Sequence, residues 1–281
     1  MRDLSVGPDC VCLNTATLGF RDPLELTVRR VAEAGFGFIT PWRQEVDERH
    51  PERAAHVIRD AGLKVGGYCR TEYFTADDRG GRAASVDSNR RAVEVAAVLG
   101  APFIVAVVGG LAPNSRDIQA CREQILEGLE ALKPTLKATG VAIALEPLHP
   151  FYAADRSLLN TVEQARRWCE RLDPDNEGLF GIAVDAYHVW WDPDLEGSLD
   201  RASDRIMALH VCDWMRQTGD PLLDRGMMGD GVIELARLRQ SVETRGFKGP
   251  VEVEIFSKEN WWKRPPEEIL RICRERLNTV V

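Results

Sequence analysis

Short apolar runs alternate with amphipathic helical segments along the chain, and the alternation can be counted. A first strand is expected over residues 10–18, then a helix over 23–34 with Asp22 as its N-cap and Gly35 as its stop. A second strand, 37–40, precedes a helix over 51–61 that Gly62 ends. The third strand, 64–69, leads through a polar loop (76–82) to a helix over 86–99. Strand four, 102–108, is followed by a helical pattern from 115 to 139, apolar at Ile118, Cys121, Ile125, Leu129 and Leu132, which Pro134 should bend or break. Strand five is 141–145 with a helix over 161–172, and strand six is 179–184 with a weak helix over 193–203. Strand seven, 206–211, pairs with a helix over 231–244, and strand eight, 250–255, with a last helix over 265–277. Eight strands, each followed by a helix, predict an α/β fold: a single (β/α)8 TIM barrel with its active site at the C-terminal face of the strands. The length of 281 residues suits such a barrel as one domain over 1–281, with no Gly/Ser- or Pro-rich linker. A doubly wound open sheet is the alternative, but no Gly-x-Gly-x-x-Gly follows strand one.

Four of the late strands end in residue types that bind metals. Buried parallel strands read as continuous apolar runs, so a charged residue at the end of one stands against the pattern. Strand six stops at Asp185 in Gly-Ile-Ala-Val-Asp-Ala-Tyr-His, with His188 on the turn beyond. Strand five ends in Glu146, strand seven carries His210, and strand eight carries Glu252 and Glu254 in one phase. Glu254 is chosen because it lies nearer the C-terminal end. Taken singly, each has a plainer reading: Asp185 or Glu146 as a cap at the strand end, His210 as a satisfied core histidine. Taken together on consecutive strands, about 4.8 Å apart, they can converge on one ion. Three carboxylates and one imidazole favour Mn²⁺, with Mg²⁺, Co²⁺ or Zn²⁺ as alternatives, over a structural zinc site.

The formal net charge of −8 argues against sequence-independent nucleic-acid binding and gives no attraction to an anionic membrane. No run approaches a transmembrane helix, and the N-terminus has no apolar signal core. Seven cysteines at wide spacings, with no Cys-x-x-Cys pair, suggest buried thiols in a cytoplasmic protein rather than disulfides or a zinc ribbon.

The chain resembles the xylose isomerase-like TIM barrels, in particular the sugar phosphate isomerase/epimerase group that shares its fold with endonuclease IV. The resemblance rests on Leu-Glu-Pro-Leu at 145–148, Val-Asp-Ala-Tyr-His at 184–188, Leu-His-Val-Cys-Asp at 209–213, Gly-Asp-Gly-Val-Ile-Glu at 229–234 and Gly-Phe-Lys-Gly-Pro-Val-Glu-Val-Glu at 246–254. It implies a divalent ion held by Glu146, Asp185, His210 and Glu254. It also implies that Glu146 and Glu254 form the acid/base pair for proton abstraction beside a carbonyl, through an enediolate. His188 and Arg225, the arginine ahead of the Gly-Asp-Gly turn, would hold oxygens of a small carbohydrate or polyol substrate. His149, a loop histidine, is a further candidate for the pocket. Ketohexose 3-epimerases similar to this chain carry a second glutamate six positions after the first. Here Tyr152 stands at that place, a departure that weighs against a free hexose.

The runner-up is a dehydratase of an inosose or dehydroshikimate-like keto-polyol, which needs the same ion and first base. A DNA-repair enzyme like endonuclease IV would need a trinuclear zinc cluster, for which five histidines in an acidic chain are few. A non-catalytic sugar-binding barrel would have no need of the intact ligand set. Aromatics expected at the mouth (Trp42, Tyr73, Phe74, Tyr187, Trp190, Trp191, Trp214, Trp261, Trp262) suit either a pocket wall or the interface of a homodimer or tetramer. Gly109-Gly110 after strand four is a weak candidate for a phosphate loop.

Overall fold

The computed structural model, which describes residues 1–5 and 7–281, contains nine strands, every paired neighbour parallel. They are β1 (Val11–Asn14), β2 (Phe38–Thr40), β3 (Lys64–Val65), β4 (Tyr68–Cys69), β5 (Phe103–Ala106), β6 (Ala142–Leu145), β7 (Phe180–Asp185), β8 (Ile206–Val211) and β9 (Val251–Val253). Their order is β3-β2-β1-β9-β8-β7-β6-β5-β4. The two ends of this order, β3 and β4, are halves of one stave interrupted at Gly66-Gly67, so the expected eight staves close into a barrel. Across the interruption the Gly66 amide donates to Ile39 O (3.0 Å) and the Cys69 amide to Pro41 O (3.1 Å). Side chains have no room there. A β-carbon on Gly66 would lie 2.7 Å from Cys12 Sγ, and one on Gly67 2.7 Å from the Phe103 ring.

The helices are α1 (Leu24–Glu33), α2 (Pro51–Asp60), α3 (Arg79–Leu99), α4 (Ile118–Glu130), α5 (Lys133–Thr139), α6 (Val162–Leu172), α7 (Ala186–Val189), α8 (Leu195–Arg201), α9 (Leu235–Thr244) and α10 (Pro266–Thr279). Pro134 does break the long pattern into α4 and α5, sitting in the first turn of α5, where a missing amide costs nothing. Other expectations shift. The first strand ends at Asn14, and Thr15–Leu18 forms a 3-10 turn whose amide at Ala16 donates to Asn14 Oδ1. Asp22 does not cap α1; it pairs with Arg30 instead. Helix α3 starts at Arg79 because Asp78 accepts from the Gly81 amide, overriding the two glycines that read as loop. Among the described residues, no helix is long and apolar enough to cross a membrane. All seven cysteines are free thiols.

Two packed layers set the position of everything polar. The outer faces of the strands and the inner faces of the helices share one core, in which Leu13, Ile39, Ile104, Ile143, Ile182, Leu209 and Val251 are buried. The opposite strand phase faces inward and is small: Ala142, Ala144, Ala183 and Ala208, with Cys69, Phe103 and Val105. Because side chains alternate across a strand, the inward phase of Ala142 and Ala144 continues to Glu146. That of Ala183 continues to Asp185, and that of Ala208 to His210.

Outside the barrel, Glu163 on α6 accepts from Arg166 (2.9 and 3.0 Å), Arg167 (2.8 Å) and Arg201 (3.0 Å). The Arg166 bonds above all hold its carboxyl down to about 2. A carboxyl lowered by folding stabilises the native state fully above its ordinary range and loses that effect as pH falls toward the folded value. Glu163→Gln is therefore expected to lower stability at pH 7 by about 1 kcal/mol or less, the site being solvent-screened. Its gap from wild type in urea midpoint should narrow from pH 4.5 to pH 3; a constant gap would rule out this origin.

Candidate active site

The inward phase brings four of the expected residues to one point. Single ligand atoms of Glu146, Asp185, His210 and Glu254 all lie within 4.8 Å of one another, and all four residues are buried. His210 Nδ1 is 3.0 Å from Glu146 Oε1. Asp185 and His210 are register partners across β7 and β8, and His210 and Glu252 across β8 and β9. Asp185 satisfies both of its sequence readings at once. Its Oδ1 accepts from the Tyr187 amide (2.8 Å) and caps the short α7, while Oδ2 faces Arg225 and the ring of converging side chains.

Arg225 is buried beside the ring. Its Nη1 donates to Glu254 Oε2 (3.1 Å) and Asp185 Oδ2 (3.3 Å), and its Nη2 is 3.3 Å from His188 Nε2. The guanidinium lies over the rings of Tyr187 (4.5 Å) and Phe256 (5.0 Å). The local chain explains why it arrives there. The Arg225 amide donates to Phe256 O, just beyond β9, while Asp213 and Gly226 exchange backbone bonds just beyond β8. Asp213 then accepts from the amides of Trp214, Gly229 and Ile233, which closes the Gly-Asp-Gly turn. His188 is buried, and its Nδ1 accepts from the His149 amide (3.2 Å). Its Nε2 stands between Arg225 Nη2 (3.3 Å), which can only donate, and Asp185 Oδ2 (3.7 Å).

Burial, followed by the positive charge of Arg225, pushes the His188 imidazole well below its ordinary range, so it is neutral. Burial pushes the carboxyls of Asp185 and Glu254 up; Arg225 opposes the rise and the charge of Glu146 adds to it. Burial also works against a charged His210, but the carboxylates of Glu252, Glu146 and Glu254 outweigh it and raise its pKa to about 10.

The sequence reading missed the layer beneath. Asn14 Nδ2 donates to both Glu252 Oε1 (2.8 Å) and Glu254 Oε1 (3.1 Å), and its Oδ1 accepts from Trp42 Nε1 (2.7 Å). Thr40 Oγ1 donates to Glu252 Oε2 (2.7 Å). Of the two in-phase glutamates, Glu254 thus joins the ring, as expected, and Glu252 is tied down one layer lower. An Asn at the end of a strand reads as a cap, which Asn14 also is, so only the register with β9 could have exposed its second task.

His149 lies outside the ring. Its imidazole stacks on Trp214 (4.7 Å between centroids) and meets Trp191 edge-on (5.6 Å), and burial lowers its pKa. Tyr187 and Trp214 extend this aromatic wall. Not every aromatic expected at the mouth is there. Phe74 packs against Gly128 of α4, and Trp261 Nε1 donates to Asp230. Trp190 packs on Trp214 (6.0 Å between centroids) and also lines a cavity of about 400 Å³ with α8 and the start of α9. Gly109-Gly110 is no phosphate loop either: a β-carbon on Gly110 would lie 2.4 Å from Ala154 O, so the pair exists to let a neighbouring loop approach.

The donor set suits a divalent cation. Four buried carboxylates (Glu146, Asp185, Glu252, Glu254) face one guanidinium, the His210 imidazole and the neutral His188, and His210 Nε2 is buried without a hydrogen-bond partner. Such a cluster lacks positive charge at its centre.

Comparison with known proteins agrees with this architecture. The family model described as xylose isomerase-like TIM barrel matches residues 28–277, and the chain belongs to that family. It is similar to L-ribulose-5-phosphate 3-epimerase UlaE of Salmonella paratyphi A, 24% identical over 246 residues, covering 82% of this chain and 81% of that one. The crystal structure of protein SMc04130 from Sinorhizobium meliloti 1021 superposes with a TM-score of 0.93 at 45% identity, over 97% of this chain and 98% of that one. IolI protein, solved with a binding zinc atom, shares the fold at a TM-score of 0.82 and 22% identity, over 97% and 98%.

Proposed function

We propose that this protein is a divalent-metal-dependent isomerase or epimerase of a small keto- or aldo-polyol, working by proton abstraction beside a carbonyl. The observation that carries the reading is the convergence of three carboxylates and one imidazole within 4.8 Å, short of positive charge. Glu146, Asp185, His210 and Glu254 would hold the ion, and their oxygen-rich chemistry argues for Mn²⁺. When bound there, such an ion supplies polarisation of a carbonyl oxygen, which acidifies the neighbouring C–H.

The remaining steps belong to the chain. Glu146 on the β6 side and Glu254 on the β9 side flank the site, so a carbon held between them meets one carboxylate on each face. One removes the proton and the other returns it, which inverts the centre or moves the carbonyl. Arg225 and neutral His188 bond substrate oxygens at the neighbouring positions. The Tyr187, Trp214, Trp191 and His149 wall borders the site beside His188. The similarity to a protein named as a 3-epimerase supports this outcome over the dehydratase expected as runner-up.

The test uses protein stripped with EDTA and reloaded with Mn²⁺, then incubated with ketoses and inososes in D₂O. One ion per chain by elemental analysis and deuterium beside a carbonyl only in the reloaded protein are expected. An ion at about 100 times its Kd should also stabilise the fold by about 2.7 kcal/mol. No ion bound under any condition would refute the mechanism. An ion without exchange on any panel member would refute the substrate class.

A further inference from the structure

We propose that Arg156 and Arg70 form a seat for an anionic group, a phosphate ester or a carboxylate, at the far end of the substrate. The proposal rests on the keto-polyol reading above and adds the chemical class of the substrate's tail.

Arg156 lies in the loop between β6 and α6. Its guanidinium lies over the Tyr152 ring at 5.7 Å, and Nε is buried with no hydrogen-bond partner. Among the other half-buried arginines of this acidic chain, Arg30, Arg43, Arg166 and Arg245 form ion pairs, whereas Arg82, Arg122 and Arg274 form none among the described residues. Among the described residues Arg156 forms none, and the neighbouring Asp155 and Asp220 are exposed and pair with neither arginine. Tyr152 stands between Arg156 and the reacting end: its ring meets His188 edge-on at 5.8 Å, and its buried hydroxyl has no partner either.

Arg70 repeats the arrangement from the other side. It lies over the Tyr73 ring at 4.7 Å, its Nη1 donates to Thr71 O, and it forms no ion pair among the described residues. Tyr73 packs against the cluster of Val107, Leu148 and Tyr152. Gly109 joins the two: its amide donates to Arg156 O (2.9 Å), and a β-carbon on it would lie 2.9 Å from Tyr73 Cβ. Arg70 also follows Cys69, whose sulfur is 3.5 Å from the Asn14 amide that holds Glu254. Two uncompensated guanidiniums and a free phenol hydroxyl therefore share one sector of the mouth, beside β4, β5 and β6. Arg225, with its own acids, stands on the β8–β9 side. A planar guanidinium fork without a carboxylate of its own matches the oxygens of a phosphate or carboxylate. An acid at position 152 would have neutralised that charge, and tyrosine leaves it available.

The experiment measures Kd by calorimetry on the Mn²⁺-loaded protein for D-fructose, D-fructose 6-phosphate and D-fructuronate. These share a keto-polyol and differ at one end as hydroxymethyl, phosphate ester and carboxylate. At least one anionic probe is expected to bind about tenfold or more tighter than D-fructose, as a charge-assisted pair allows. Preference for the phosphate identifies an ester, and preference for fructuronate a carboxylate. In Arg156→Met and Arg70→Met the ratio of the two Kd values should fall toward one, and Arg156→Lys should keep part of it. Metal content serves as the folding control. Equal Kd for all three probes, or a preference that survives the double Met variant, would overturn the proposal. Binding by none of them, D-fructose included, with one ion per chain retained, would overturn instead the keto-polyol reading beneath it.

Discussion

At saturating Mn²⁺, Glu254→Gln is expected to slow deuterium incorporation from D₂O by about 10²–10⁴-fold, the worth of a positioned base. The amide keeps the shape of the side chain and an oxygen for Asn14 to donate to, but it cannot accept a proton from carbon. It also turns an amide donor toward Arg225 or Asn14, so some loss of metal affinity accompanies the change. Saturating the ion and measuring metal content separates that loss from the loss of the base. Two controls sharpen the outcome. Glu146→Gln should produce an effect of the same order, because epimerisation needs a group on each face. Glu252→Gln should act more weakly, because Glu252 is tied to Asn14 and Thr40 one layer below the ring. If Glu254→Gln exchanged at the wild-type rate with the ion bound, Glu254 would be a ligand at most, and the base would have to be sought elsewhere.

Arg225→Met is expected to destabilise the metal-free protein by about 3–5 kcal/mol, the cost of breaking a buried ion pair by removing one partner. The guanidinium gives charge-assisted hydrogen bonds to both Asp185 and Glu254, and its plane is held between Tyr187 and Phe256. Methionine fills similar space along the aromatic faces, so lost packing is the smaller part of the change. What remains is a pair of carboxylates deep in the barrel with no cation of their own. Mn²⁺ should therefore stabilise the variant by more than it stabilises wild type, since the ion relieves the same charge excess. Urea denaturation of both proteins with EDTA and with Mn²⁺ gives the four values required. A metal-free variant as stable as wild type would show that Asp185 and Glu254 are neutral there without help, and that Arg225 does not balance them.

The barrel and the convergence of four polar side chains were legible for the same reason. A charged residue that ends an apolar strand is visible against its surroundings, and the period of two places it on the inner face with the small residues before it. The choice of Glu254 over Glu252 followed from position along the strand alone. Other parts were hidden because one residue type serves two purposes. Asn14 caps a 3-10 turn and bridges two carboxylates, and neither task shows inside the run expected as strand one; Asp185, read either as a cap or as a member of the ring, is both. Gly80-Gly81 looked like loop because the Asp78 cap that starts α3 lies two residues earlier. Arg156 was invisible in a polar loop, where a guanidinium without a partner reads the same as a solvated one. Its meaning depends on Tyr152 and Gly109, contacts between segments that no local pattern predicts.

The loop that carries His149, Tyr152 and Arg156 is fastened to the barrel through its main chain: Gly109 to Arg156, Leu158 to Gly109, and Leu111 to Ala154. Peptide groups make those bonds whatever side chains stand between them. The segment is thus free to drift in sequence while its anchorage stays constant, like an interchangeable bit in a fixed chuck. Rewriting about ten residues there can change what lines the mouth, with the barrel and the four converging side chains left untouched.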